Sequence, residues 1–514
     1  MNLKTAVTKK LPYWDCILEQ IGLPFSEIEW EKKNFLQEYA VIIVNSVLTE
    51  EEIRSVLNYV ESGGSLLIEA DFVRGVLETK KVYIKYLFSK EKIFGYHLPL
   101  IDLYRNCTVA TKANVFNNQE GVPVVSSFML GLGNIIVIPG NFLSAIFESK
   151  VLRKNFYSSI KKLPSERVSK VSKGSIFHFI RAAMEHLYHL RGLPFISLWN
   201  FPGSSKNIFA FRIDTDFCSQ EQVNLLYETL SDNNIKGTWF VETQSAEDWI
   251  GLYSSFKEQE IGVHCYRHRV FNSYKKNYNN FKKGIEVLNK TSIFPKGMAS
   301  PFGEWNESFS KAAEDIGFEY TSEFSYTYDN LPHFSDYENG LKNIIQVPVH
   351  PISFGRLFQA GYNDNEMYNY FVDVINNKIA LYEPVIIYTH PQEKRYEILK
   401  RIFNFVDEKD LSKYTFNEYS TWWKERSKIK YSASFINNEL RTETETKDES
   451  FWFRIIYPSK ENYLMPVSGN NSKKIIINLS EFKYDVDFQP NVLRKYTKRM
   501  LKDDILFEIR KRKL

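Results

Sequence analysis

Asp214 and Asp216 stand at the end of the apolar run Phe209-Ala210-Phe211-Arg212-Ile213. Carboxylates are expensive to hold at the end of a buried strand unless something binds them. Further along, Ile261-Gly262-Val263 runs into His264, and His268 follows four residues later. At that spacing both imidazoles are expected on one side of a helical turn, converging on one point. A third histidine, His390, comes directly after Val385-Ile386-Ile387-Tyr388-Thr389, and Ala299-Ser300-Pro301-Phe302-Gly303 also succeeds a strand-like run. Two histidines and one carboxylate, with positions left open for water, are the composition of a catalytic zinc site. The same set suits other divalent transition metals, Fe(II) included. Each piece alone has a plainer reading: Asp214 or Asp216 can cap a helix, and His390, beside Pro391, can be a turn residue. Their joint placement at strand ends favours chemistry.

The elements that would position them begin at Ile208. From there short strands alternate with helices, with strands predicted at Ile208–Ile213, Gly237–Val241, Gly262–His264, Gly297–Ser300, Ile344–Val349 and Val385–Thr389. Helices are predicted between them, among others at Gln220–Asp232 and Asn306–Ile316. Alternation on this scale predicts a parallel α/β sheet or barrel. Active sites of such folds gather at the carboxyl ends of the strands, where these residues lie.

The order Asp-x-Asp, His-x-x-x-His, Ser-Pro-Phe-Gly, Thr-His-Pro resembles the polysaccharide deacetylase (NodB-homology) family over residues 208–425. The resemblance implies a distorted (β/α) barrel that hydrolyses N-acetyl or O-acetyl groups on sugars. It makes Asp214 the catalytic base and His390 the catalytic acid. It makes Asp216, His264 and His268 the ligands of Zn2+ or another divalent transition metal. Phe302 falls where a backbone N–H helps to hold the oxyanion, and Pro301, Trp305 and His350 are expected to line the cleft. Two departures stand out. Thr215 separates two aspartates that the family usually has adjacent. Ala299 stands where the family has an arginine that pairs with the base, and Arg212, Arg267 and Arg356 are the candidates to replace it. The residue types fit the task, because an acetamide is a poor electrophile and water at pH 7 a poor nucleophile. A metal answers both problems, and an acid must protonate the leaving amine.

Three functions compete. The first is a metal-dependent hydrolase that removes an acetyl group from an N-acetylated sugar, either a glycan or a glycan precursor. The second is a degenerate deacetylase that only binds carbohydrate, for which the missing arginine speaks and the retained His390 speaks against. The third is a non-haem iron oxygenase, whose sites sit on β-sandwich folds rather than on alternating strands and helices.

A chain of 514 residues is expected to hold two or three domains. The fold class read from the pattern is α/β. Residues 1–150 carry a strand, helix, Gly63-Gly64, strand unit. They resemble a glutamine-amidotransferase-like, flavodoxin-like domain, expected to be non-catalytic because neither Cys16 nor Cys107 has a Gly-rich elbow. Residues 151–207 read as a helical connector, 208–426 as the barrel, and 427–514 as a small β-rich appendage ending in a basic helix. In the appendage, strands are expected at 451–457, 463–467 and 473–479, with a turn at Gly469-Asn470-Asn471-Ser472. With 66 Lys and Arg against 62 Asp and Glu, the net charge of +4 leaves no field to steer nucleic acid. The crowded cations Lys495, Lys498, Arg499, Lys502, Arg510, Lys511, Arg512 and Lys513 offer a peripheral contact to an anionic membrane, although such an end is more often a solvated helix. No secretory signal or membrane-spanning run is visible, and four scattered cysteines fit a reduced setting. A cytoplasmic location is the expectation.

Overall fold

The computed structural model describes residues 1–514 apart from 31–37, 74–76, 112–113, 161, 336–343, 469–473, 479, 484–487 and 514. The expected turn at 469–472 therefore lies outside the described residues.

Local chemistry sets the first elements of the central region. Every residue of the strand Ile208–Asp214 is buried, as expected of a strand paired in parallel on both sides and covered on both faces. Ser219 then accepts a hydrogen bond from the Gln222 N–H, and the Gln222 side chain accepts from the Ser219 N–H. That capping box starts the helix Gln220–Asp232 at the predicted residue. Asn306 caps Glu307–Asp315 by accepting from the Phe309 N–H.

The central sheet runs, in spatial order, His333–Phe334, Ile345–Gln346, Tyr320–Ser322, Gly297–Ala299, Glu260–Val263, Gly237–Val241, Ile208–Asp214 and Val385–Thr389; Ser412–Lys413 also pairs with Ile208–Asp214. All pairings are parallel except His333–Phe334 with Ile345–Gln346. The sheet is a curled half-barrel, which is the form the expected barrel takes. Because the strands run in parallel, Asp214, His264, Phe302 and His390 follow carboxyl ends that lie on one edge. Helices pack on the outside through a core that includes Phe211, Leu230, Trp239, Phe281, Phe371 and Phe403.

The chain divides into two compact units whose limits differ from the predicted ones. The unit holding the central sheet comprises 148–170, 205–424 and 485–514; the other comprises 1–147, 171–204 and 425–484. The connector is therefore split. Its hairpin, Val151–Asn155 with Ser165–Ser169, joins the central unit, where the Ser169 N–H donates to Phe324 O at 3.1 Å. Its strand Phe195–Leu198 instead pairs antiparallel with Trp452–Ile456. That pairing draws the β-rich segment, with Asn462–Pro466 and Ile475–Ile476, into the first unit's four-stranded sheet. Arg426 seals the same unit, its buried guanidinium donating to Trp199 O, Leu198 O and Gln20 O. The basic helix, Lys498–Lys513, goes to the central unit.

In the first unit, five parallel strands lie side by side in the order Phe25–Glu27, Lys4–Val7, Tyr39–Val44, Ser65–Glu69 and Gly133–Ile138; two antiparallel strands follow. A capping box at Thr49 and Glu52 starts the helix Glu50–Glu61. Between Ser65–Glu69 and Gly133–Ile138 the described chain forms β-hairpins rather than a long crossover helix. No helix among the described residues is long and apolar enough to cross a membrane.

Candidate active site

Arg212 and Asp214 lie two residues apart on one strand and so share a face. Arg212 is fully buried, with Nε donating to Asp214 Oδ1 and Nη2 to Asp214 Oδ2, both at 2.7 Å. Its Nη1 donates to the backbone and hydroxyl oxygens of Ser322 at 3.0 and 3.1 Å. This is the two-bond fork by which arginine fixes the orientation of a carboxylate. Burial works against the guanidinium, but Asp214 outweighs it and raises the Arg212 pKa. The cation that Ala299 cannot supply thus comes from the base's own strand. Arg356 instead pairs with Glu166 through Nε and Nη2, and Arg267 is exposed.

Asp216, His264 and His268 form a three-donor cluster. Asp216 Oδ1 lies 3.0 Å from His264 Nε2 and 3.1 Å from His268 Nε2; the two Nε2 atoms are 3.1 Å apart. The segment carrying the histidines is not helical, contrary to the spacing argument. His264 directly follows the strand Glu260–Val263, Cys265 takes a left-handed conformation at φ 68°, and the chain doubles back to bring His268 beside it. His264 Nδ1 donates to Ala299 O at 2.8 Å, since a carbonyl oxygen only accepts; that bond orients the ring and turns Nε2 towards Asp216 and His268. Asp216 Oδ1 is buried yet makes no well-directed hydrogen bond to either ring. The two imidazoles meet through their Nε2 atoms, and all three ligand atoms lie close enough together to share one cation. Their spacing is close to the about 3.3 Å between ligands of a tetrahedral ion at 2.0–2.1 Å, so the donor set fits zinc or a similar cation. Burial raises the Asp216 pKa, but His268 and His264 outweigh it and hold the carboxyl well below the carboxylate range. For His268 burial lowers the pKa and Asp216 more than restores it.

His390 completes the edge. Its Nδ1 lies 3.3 Å from Glu393 Oε1, and its Nε2 lies 3.6 Å from Asp216 Oδ2. Burial would lower the His390 pKa, but Glu393, then Asp216 and Asp214, push it up to about 9. Glu393 is itself fixed by the Gly355 N–H at 2.7 Å and the Thr389 hydroxyl at 3.0 Å.

A polysaccharide deacetylase family model matches the part of this edge that carries Asp214, Asp216, His264, His268 and Phe302, but not His390. Residues 210–321 match that family. No curated protein matches the chain. Among solved structures, the chain is similar to a putative polysaccharide deacetylase from Mycobacterium smegmatis, at 16% identity over 44% of this chain and 95% of that one, with a TM-score of 0.37. A probable polysaccharide deacetylase from Pseudomonas aeruginosa PAO1 gives 16% over 43% and 92%, with a TM-score of 0.37. A CE4 family pseudoenzyme from Bacillus anthracis gives 15% over 42% and 66%, with a TM-score of 0.32. These structural likenesses are too distant to say what the chain does.

At this edge of the sheet a cavity of about 290 Å³ is lined by Asp214, Asp216, His264, Phe302 and His390. Phe302 holds φ 58°, ψ 13° in the turn Pro301–Gly303, a left-handed conformation that costs a phenylalanine on the order of 1–3 kcal/mol. Its ring packs edge-on against His268 at 4.6 Å. Three expected lining residues are not in the wall. Pro301 is buried in the turn, Trp305 packs on Tyr326 at 4.5 Å, and His350 is buried, with Nε2 3.1 Å from the Tyr370 hydroxyl. A histidine after a strand-like run and a tryptophan near a motif are as readily packed inward as outward, and here both are.

Three residues went unpredicted, Glu393, Glu166 and Phe507, and Arg356, a candidate partner for the base, meets Glu166 instead. Glu393 lies three positions after His390, a spacing the sequence offered. Glu166 and Arg356 sit side by side in the wall, and Phe507 on the last helix packs edge-on against Phe302 at 5.3 Å. No local pattern linked Glu166 or Phe507 to the motifs.

Proposed function

We propose that the central unit is a metal-dependent hydrolase that removes an acetyl group from an N-acetylated sugar. The observation that carries this reading is the meeting, at one cavity, of Asp216 and His264 from a three-donor cation cluster, an arginine-clamped carboxylate and a carboxylate-held histidine. A divalent cation held by Asp216, His264 and His268 would polarise the acetyl carbonyl and make water acidic enough to attack near pH 7.

The chain's own residues do the rest. Asp214 takes the proton from the attacking water, and Arg212 holds its carboxylate in place through two hydrogen bonds. The Phe302 N–H is assigned to the developing oxyanion, supported by Phe302 lining the cavity; a donor in that role is worth about 2.7–4 kcal/mol. His390 delivers a proton from Nε2 to the leaving nitrogen, because Glu393 occupies Nδ1. The C–N bond breaks, and acetate and the free amino sugar leave. The carbohydrate-binding alternative leaves the Arg212 clamp and the raised His390 pKa without a purpose, since binding alone needs neither.

We also read residues 1–147 as flavodoxin-like and non-catalytic. Taken in chain order, their parallel strands lie 2-1-3-4-5, the flavodoxin order. Cys16 and Cys107 are both buried, and burial pushes the Cys107 thiol up to about 12, far from a nucleophilic thiolate.

The test is acetate release by wild type and Asp214→Asn from N-acetylglucosamine oligomers and from lipid-linked and nucleotide-linked N-acetylated sugars. Release by wild type alone is expected. Equal release by Asp214→Asn would remove the base from the scheme.

A further inference from the structure

The last helix, Lys498–Lys513, is held on one side. Met500 and Phe507 are buried, Asp504 Oδ1 accepts from Arg153 Nε at 2.7 Å, Glu508 pairs with Arg167 at 2.9 Å, and Lys511 pairs with Glu304 at 2.7 Å. These anchors recur at three- and four-residue spacing and so form one stripe. The opposite side carries Leu501, Ile505, Leu506 and Ile509, which are 51%, 53%, 40% and 45% exposed. Lys498, Arg499 and Lys502 are exposed among them.

A helix that serves only its own domain turns its aliphatic stripe inward. This one does the reverse: ion pairs hold much of the inner side, and most of its aliphatic side chains face out. Helices with exposed aliphatics bordered by cations lie in membrane interfaces, where the aliphatics reach the acyl boundary and the cations meet anionic headgroups.

We propose that the Leu501, Ile505, Leu506 and Ile509 face, with Lys498 and Lys502, docks the protein on an anionic lipid bilayer. Charge selects this occupant. Of the helix's carboxylates, Asp504 and Glu508 are engaged with Arg153 and Arg167, and Asp503 is half-buried and acts on Arg356, so a second copy laid on the same face would oppose cation to cation. An anionic bilayer satisfies the aliphatics and the cations together. The docking does not depend on the catalytic reading and can fail without it.

The test is co-sedimentation of the full chain with vesicles of phosphatidylcholine alone and of phosphatidylcholine mixed with phosphatidylglycerol. Binding to the mixed vesicles only, weakened by salt, is expected. Lys498→Gln with Lys502→Gln should weaken it roughly 30-fold, taking about 1 kcal/mol per lost charge. Leu501→Ser, Ile505→Ser and Ile509→Ser together should abolish it while the melting temperature stays near that of wild type. Three results would overturn the proposal: no binding by wild type, equal binding to neutral vesicles, or binding indifferent to the serine substitutions. Light scattering that shows a dimer dispersed by those substitutions would assign the face to a second copy instead.

Discussion

Arg212 restores to Asp214 the cation that Ala299 cannot provide, and the buried pair makes a sharp prediction. Arg212→Met leaves Asp214 charged and unmatched, which should destabilise the fold by about 3–5 kcal/mol in urea unfolding. Arg212→Lys keeps the charge but loses the fork, and kcat should fall roughly 10–100-fold with the fold intact. Glu393 sets the other end of the reaction. His390 must carry a proton to act as the acid, so activity is lost as pH rises through its pKa. Glu393→Gln removes the main influence that raises that pKa, so the alkaline limb of the rate profile should move to lower pH. His350 reports on stability rather than turnover. Burial, helped by Lys378, pushes it down to about 3. Below its ordinary 6.5 the unfolded chain takes up a proton that the folded one refuses, so stability falls by about 1.4 kcal/mol per pH unit from there towards 3. In His350→Phe that share of the acid sensitivity should vanish, as measured by unfolding at pH 6 and pH 4.

At the scale of elements, the turn Pro301–Gly303 is the constrained piece. A Cβ on Gly303, where φ is +61°, would come within 2.3 Å of the Phe324 ring. Gly303→Ala should therefore cost on the order of 1–3 kcal/mol and shift Phe302, lowering acetate release more than it lowers stability. The strands and helices that carry the motifs were legible because their signals are local. The all-buried run 208–214 and the capping boxes at Ser219 and Thr49 need only a few neighbouring residues. The His264–His268 segment was read as a helical turn because spacing alone does not reveal a left-handed residue between them. Convergence survived that error, since the fold brings the rings together by another path. Arg212 could be placed on the face of Asp214 from period-two geometry, but the sequence could not show that its guanidinium turns back onto that carboxylate rather than outward.

At the scale of the molecule, the central unit is assembled from three separate stretches, 148–170, 205–424 and 485–514. Sequence reading favoured contiguous domains, and it missed this because β-pairing and ion pairs between distant stretches leave no local pattern. Glu166 reaches the cavity wall from the first stretch and Phe507 from the last. Removing residues 485–514 should expose Phe302 and forfeit about 1.5–3 kcal/mol for Phe507 alone. A lower melting temperature and a raised KM are expected, with the cation cluster still able to bind metal, because Asp216, His264 and His268 all lie in the middle stretch.

The most direct measurement is metal content by mass spectrometry on wild type and on His264→Ala with His268→Ala, paired with acetate release before chelation, after it and after reloading with zinc. About one ion per chain in wild type and none in the variant is predicted, with activity that disappears on chelation and returns on reloading. Wild type that binds no ion after reloading, or that keeps full activity without one, would contradict the account.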